Sequence, residues 1–300
     1  GALTDLRIAV QEGESAAKGL SETWQEIGAL TYATDTLRSL NAYARAVQLS
    51  PDDHVARGQL GNLYLLVGQL DEAEEAFERV LYETDDKAVV AAMYANLGVI
   101  RMMRGELREA RILIEEALDR NEKAGDAMGQ ASDLGDLGEI SRSEGKYPEA
   151  IAFFNRSLAL YKQVEHREGE ALATARLGAV ARDERRYDEA EHLFTSALAM
   201  AKGIDDRLGQ SFALSGLGDV ALDRGDLDLA RQHYIESHGL AVDLAAGESE
   251  TTALIGLGIV AERQGDAEAA IEYFRNAYFL FRDMKREADM ADMEARLKKL

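Results

Sequence analysis

A Leu-Gly pair returns six times along the 300-residue chain, with its glycines at positions 61, 98, 138, 178, 218 and 258. Successive intervals are 37, 40, 40, 40 and 40 residues, and a period of this length is the mark of a repeat array. Twelve residues after each glycine comes an alanine: Ala73, Ala110, Ala150, Ala190, Ala230 and Ala270. Four residues further stands Phe77, Ile114, Phe154, Phe194, Tyr234 or Phe274. Two residues after each glycine stands Leu63, Ile100, Ile140, Val180, Val220 or Val260. A glycine inside a helical pattern costs about 1 kcal/mol relative to alanine. Six recurrences of that cost imply a compensating gain, the close approach of a neighbouring helix that a side chain would block. The recurring alanine plays the same part from the paired helix. The large residue one turn later lies on the same face and fills the space between stacked units.

Each unit therefore reads as two antiparallel amphipathic helices joined by a short turn. One pair covers about 126–143 and 147–163, with the turn Glu144-Gly145-Lys146 between them. Pro148 falls in the first turn of the second helix, where a missing N–H does no harm. The same grammar places helices at 167–183 and 187–202, 207–223 and 227–243, and 247–263 and 267–282. One hairpin cannot bury its apolar face alone, so the units are expected to stack into a solenoid with a continuous core. Residues 1–20 read as an N-terminal helix whose docking is left open. Residues 21–52 read as a degenerate first unit that keeps Trp24, Ile27-Gly28, Tyr43 and Ala46. Six regular units follow over 53–285, and 286–300 reads as a capping helix with Met290, Met293 and Leu297 on one stripe.

Composition narrows the function. Acids outnumber bases 55 to 34, a formal net charge of −21, so the surface repels nucleic acid and anionic lipid and favours basic partners. Cysteine is absent, which removes disulfides and thiolate chemistry and fits a reducing compartment. No apolar run approaches a membrane span, and the first residues carry neither a basic nor an apolar leader segment. A cytoplasmic protein is the expectation, with a periplasmic or exported one left open if a leader has been trimmed.

The pattern Leu-Gly, then Gly-x-[Leu/Tyr]-x-x-Ala, then an aromatic four residues on, resembles the tetratricopeptide repeat over about residues 22–282. The usual repeat has 34 residues. The longer period here, with segments such as Gly125-Asp126-Ala127-Met128-Gly129-Gln130-Ala131, is similar to the long-repeat variety. That variety includes the spindle-orientation adaptor named for its Leu-Gly-Asn repeats, kinesin light chain and the sensor domain of the bacterial maltose regulator. The resemblance implies an all-α, right-handed superhelical solenoid of about seven hairpins. It also implies a concave groove, lined by the first helix of each unit, that holds an extended or helical segment of another protein.

Helical periodicity then selects the groove residues. Positions one and four after each Leu-Gly glycine, and two, three and six before it, face the concave side. They include Asn62, Asn96, Asp136, Glu139, Arg142, Arg176, Arg182, Phe212, Asp219 and Glu262. Guanidinium forks at Arg142, Arg176 and Arg182 suit carboxylate recognition, although each arginine can instead pair with a nearby groove acid. Asn62 and Asn96 can satisfy an extended peptide backbone. Phe212 offers an apolar contact or packs against the preceding unit. Asp219, Asp223 and Glu262 turn the far end acidic, so the sign of the partner's charge stays open.

No catalytic set emerges, and no cofactor or metal is expected. Gly216-x-Gly218-x-x-Ala221 and Gly256-x-Gly258-x-x-Ala261 match a dinucleotide fingerprint by letters. Both fall inside predicted helices, whereas that fingerprint needs a strand before it and a helix N-terminus at the phosphate. The five histidines form no pair on one helix face and have no cysteine to complete a zinc set. The expectation is an interaction scaffold or adaptor. A sensor module whose groove takes a signalling peptide or small ligand, and a self-associating scaffold, are the alternatives.

Overall fold

The computed structural model describes residues 2–32 and 35–300, with side chains from residue 15 onward. Among the described residues there are fifteen helices and no strand. They are α1 (Ala2–Thr31), α2 (Thr36–Leu49), α3 (His54–Leu66), α4 (Leu70–Glu83), α5 (Lys87–Met103), α6 (Leu107–Ala124), α7 (Ala127–Ser143), α8 (Tyr147–Gln163), α9 (Arg167–Asp183), α10 (Tyr187–Gly203), α11 (Arg207–Arg224), α12 (Leu227–Leu244), α13 (Gly247–Gln264), α14 (Ala267–Asp283) and α15 (Glu287–Leu297). Successive helices pair as seven hairpins, α1/α2 to α13/α14, and α15 packs on α14. The segment expected as a separate N-terminal helix runs on without a break into the first helix of the degenerate unit. No described helix is long and apolar enough to cross a membrane.

The turns follow from local chemistry. Five of the six first helices from α3 onward begin at a side chain that accepts from the first-turn amides: Asp53, Asp86, Asp126, His166 and Asp206. Such a cap satisfies donors that have no partner inside the helix. Within hairpins the turn needs a left-handed residue, and glycine supplies it at 68, 105, 145, 225 and 265. Arg185 takes the same conformation in the fifth unit, with φ 61°.

The core explains the repeat. All six recurrent alanines are fully buried, as are Phe77, Ile114, Phe154, Tyr234 and Phe274. The close approach expected at the Leu-Gly glycines is made by these large side chains rather than by a helix backbone. A Cβ on Gly61, Gly138 or Gly258 would stand 2.5 Å from the ring of Phe77, Phe154 or Phe274. Gly28 lies under Tyr43 in the same way, at 2.6 Å, so the degenerate unit keeps the device. Phe194 and Tyr234 also press on Gly216 and Gly256 of the following hairpin. Each of these rings is thus held between two backbones, which accounts for the glycine pairs in α11 and α13 without any nucleotide.

The solenoid completes a turn and meets itself. The Thr36 hydroxyl donates to the Leu244 carbonyl, across 208 positions of sequence. Met284 lies directly over Gly68, and Lys285 pairs with Asp71 at 2.9 Å. Turns at the lower edge of the sixth and seventh hairpins therefore sit on turns at the upper edge of the first and second. Register supplies an internal control. Val164 and Ile204, which end the second helices of earlier hairpins, are 38 and 37% exposed. Leu244 and Met284 occupy the same position and are 6 and 5% exposed. The side-chain cap of the other first helices from α3 onward is also replaced at this seam, by Ala246, which is buried and makes no side-chain cap bond.

Candidate groove on the inner face

The first helices α3, α5, α7, α9, α11 and α13 line the inner side of the solenoid, and adjacent ones touch. Side chains selected from periodicity meet there, chiefly across the boundary between units. The Asn96 amide donates to the Asn62 carbonyl at 3.0 Å. Arg176 reaches back from α9 to Asp136 of α7 at 3.1 Å. Arg142 holds Glu139 of its own helix at 2.5 Å and Asp183 of α9 at 2.7 Å. Arg182 holds Asp219 and Asp223 of α11 at 2.6 and 2.7 Å. Asp219 accepts a further bond from the Tyr234 hydroxyl at 2.5 Å. The result is a ladder in which each arginine of the inner face bridges two successive units.

The electrostatics follow from that pairing. Burial works against the charge on Arg142, but Glu139 and Asp183 outweigh it and hold its pKa above the usual arginine value. Burial likewise opposes Arg182, and Asp219 and Asp223 overcome it. Asp219 is raised by burial, which Arg182 and the Tyr234 hydroxyl oppose. Asp136 is also raised by burial even with Arg176 upon it. One turn earlier on α7, Asp133 is 1% exposed and accepts from Asn121 at 2.7 Å. Burial pushes its carboxyl up to about 7, with Asn121 opposing and Asp136 adding to the rise.

The remaining groove candidates divide. Phe212 is not packed away but 40% exposed, and Glu262 is exposed with no ion pair among the described residues. Asp136 is buried beneath Arg176 and is not open to a guest. The arginine forks are filled by the chain's own carboxylates. Periodicity missed two sets of residues. Asp183, five after the glycine, closes the ladder together with Asp223, which stands in the same register and was already counted among the acids of the far end. Met128 and Leu208, ten before it, are 46 and 40% exposed. Extending the same helical stripe by one position at one end and one turn at the other finds both.

Models described as tetratricopeptide repeats match residues 89–163, 169–241 and 212–283, and a second such model matches 30–97. The chain is a tetratricopeptide-repeat protein. No curated protein sequence matches it. Among solved structures this repeat protein is similar to BtubC from P. vanneervenii, at 20% identity and TM-score 0.50, over 74% of this chain and 91% of that one. It is also similar to a signal transduction ATPase with numerous domains and a tetratricopeptide repeat sensor, from Pyrococcus horikoshii. That match has 12% identity and TM-score 0.60 over 95% of this chain, but takes in only 47% of the other. A Rap protein complexed with Competence and Sporulation Factor matches at 13% identity and TM-score 0.61, over 88% of this chain and 84% of that one. At such identities the likeness is one of fold.

Proposed function

We propose that this repeat protein is an interaction module whose inner face holds a peptide or helical segment of a partner protein. The observation that carries the reading is the exposure of Met128 on α7 and of Leu208 and Phe212 on α11, two first helices of the inner face. Buried rings pack against Gly138 of α7 and Gly218 of α11, so these side chains stand on firmly held helices. Rigid presentation lowers the entropy lost on binding. The Rap neighbour, solved with a factor bound, is a precedent within the same fold. The test is a selection of peptides from a random display library on the intact chain. Binders whose retention falls sharply with Phe212→Glu support the groove. Binders indifferent to that change place recognition elsewhere and reject it.

The seam favours a second, compatible role as a sensor. An occupant that alters superhelical pitch changes the distance between Met284 and Gly68, so binding in the groove is transmitted to the edge. Thermal-shift screening with metabolites separates this from peptide capture. Stabilisation by a small ligand, and by no selected peptide, would replace the first reading with the second.

A further inference from the structure

The inner face carries two stripes of different chemistry, and neither is matched within the chain. The first is apolar. Met128, Leu208 and Phe212 are open, and half-buried Leu172 lies between them on α9. The second is charged and unbalanced. Arg142, Arg182 and Arg263 face the five carboxylates of Glu139, Asp183, Asp219, Asp223 and Glu262. Every guanidinium is already engaged, since Arg263 donates to the Leu222 carbonyl at 2.7 Å. An anionic guest would have to displace one of the chain's own carboxylates and leave it unpaired near a buried floor, which is costly. A cationic guest meets free lone pairs on the same carboxylates, and Glu262 waits without any cation.

We infer that the occupant is a basic amphipathic helix, with a cationic stripe for the acid-rich ladder and an apolar stripe for Met128, Leu172 and Phe212. The inference rests on the groove reading above and fixes the partner's chemistry. Packed helices lie about 8–10 Å apart, and seven residues of helix rise about 10.5 Å. Lysine or arginine at seven-residue intervals therefore meets an acidic position on each successive first helix. Leucine-type residues at the same interval on the adjoining face meet the apolar stripe. Opposite charge speeds the encounter and fixes the register, while apolar burial supplies affinity.

The probes are three fluorescent peptides of about 18 residues, ~27 Å as helices: a Lys/Leu amphipathic helix, its Glu/Leu counterpart, and a Lys/Ser version with the same charge and no apolar stripe. Binding is read by anisotropy on the intact chain. The Lys/Leu peptide binds at least about tenfold tighter than the other two, a difference of about 1.4 kcal/mol. Asp223→Asn with Glu262→Gln weakens it about tenfold. The charge-matched pair Glu115→Gln with Glu272→Gln, both exposed on the second helices α6 and α14, leaves it within about twofold. Arg182→Gln decides the sign, because it frees two carboxylates and so tightens the Lys/Leu complex. Preference for Glu/Leu, loss of binding in Arg182→Gln, or equal weakening by the outer pair each overturns the basic-helix assignment and leaves the groove standing. Binding of none of the three, while display-selected peptides still need Phe212, likewise rejects only the assignment. Failure of both experiments removes the groove itself. Circular dichroism of each variant confirms that the fold is retained.

Discussion

The self-contact of the solenoid can be opened by a single residue with a built-in control. Gly68 and Gly105 occupy the same turn in successive hairpins, with φ 79° and 78°. A Cβ on Gly105 meets nothing within 4 Å, whereas one on Gly68 collides with Met284. Asparagine tolerates the left-handed conformation, so Gly68→Asn and Gly105→Asn impose the same backbone cost and differ only at the seam. The seam's apolar worth follows from register. Relative to Val164 and Ile204, closure covers about a third of the full surface of Leu244 and of Met284. That is roughly 60 Å² each, or about 3 kcal/mol together at ~25 cal/mol per Å². The exposed Lys285–Asp71 pair adds little. A wedge costing about 1–3 kcal/mol is comparable to the whole closure. Gly68→Asn should therefore raise the radius of gyration in small-angle scattering, and Gly105→Asn should not. The chain lacks cysteine, so Asp71→Cys with Lys285→Cys gives a clean pair for a bis-maleimide cross-linker, and its yield falls in the Gly68→Asn background alone. Identical scattering and cross-linking for the two asparagine variants would refute the seam as an energetic contact.

Three further changes probe the core and the groove floor. Asp133 has its carboxyl raised in the folded state to about 7 from 3.8; the stability that its protonation contributes is therefore full below about pH 4 and is lost as pH rises through about 7. Asp133→Asn should remove that slope and add up to about 4 kcal/mol at pH 8, and denaturant titrations showing parallel pH profiles for the two proteins would contradict it. Gly138→Ala places a Cβ 2.5 Å from Phe154, while the Cβ of Gly178→Ala meets Leu193 and Phe194 at 3.3 Å. Overpacking of about 1–3 kcal/mol exceeds the helix gain of about 1 in the first and not in the second, so thermal melts should fall for Gly138→Ala and hold or rise for Gly178→Ala. Arg185→Gly relieves a left-handed non-glycine residue where five sister turns carry glycine, and should raise the unfolding free energy by up to about 1 kcal/mol.

The stacking was legible because its signal is local to one repeat. Glycine, alanine and ring sit at fixed offsets, and each offset maps to a helix face. What reads as room for a neighbouring helix turned out to be room for a ring, because offsets place residues on faces but do not say which atoms arrive. The ladder was half legible. Arg142, Arg182, Glu139 and Asp219 lie on the predicted stripe, but the choice of Asp183 and Asp223 as partners depends on how far one unit rotates against the next. The seam was invisible to periodicity, since it depends on pitch accumulated over the whole array. It did leave a trace as a departure from the repeat. Where Asp126 and Asp206 cap their helices, Ala246 stands uncapped, and that loss makes sense only with another surface against it.

A repeat array ordinarily gains stability only from each unit and its nearest neighbours, so its ends fray independently. Here one set of contacts strengthens the nearest-neighbour interfaces and a second breaks the rule. The ladder ties units through the inner face, because Arg142 and Arg182 each hold acids of the next first helix. The seam ties the first two units to the last two. A change in pitch that lengthens Arg142–Asp183 on the inside must also slide Met284 across Gly68 at the edge. The exposed Glu248 carboxylate at the start of α13 pairs with Arg286 at 3.5 Å, next to the Lys285–Asp71 contact of the seam. The geometry of the inner ladder and the closure of the seam are then linked through the pitch of the array.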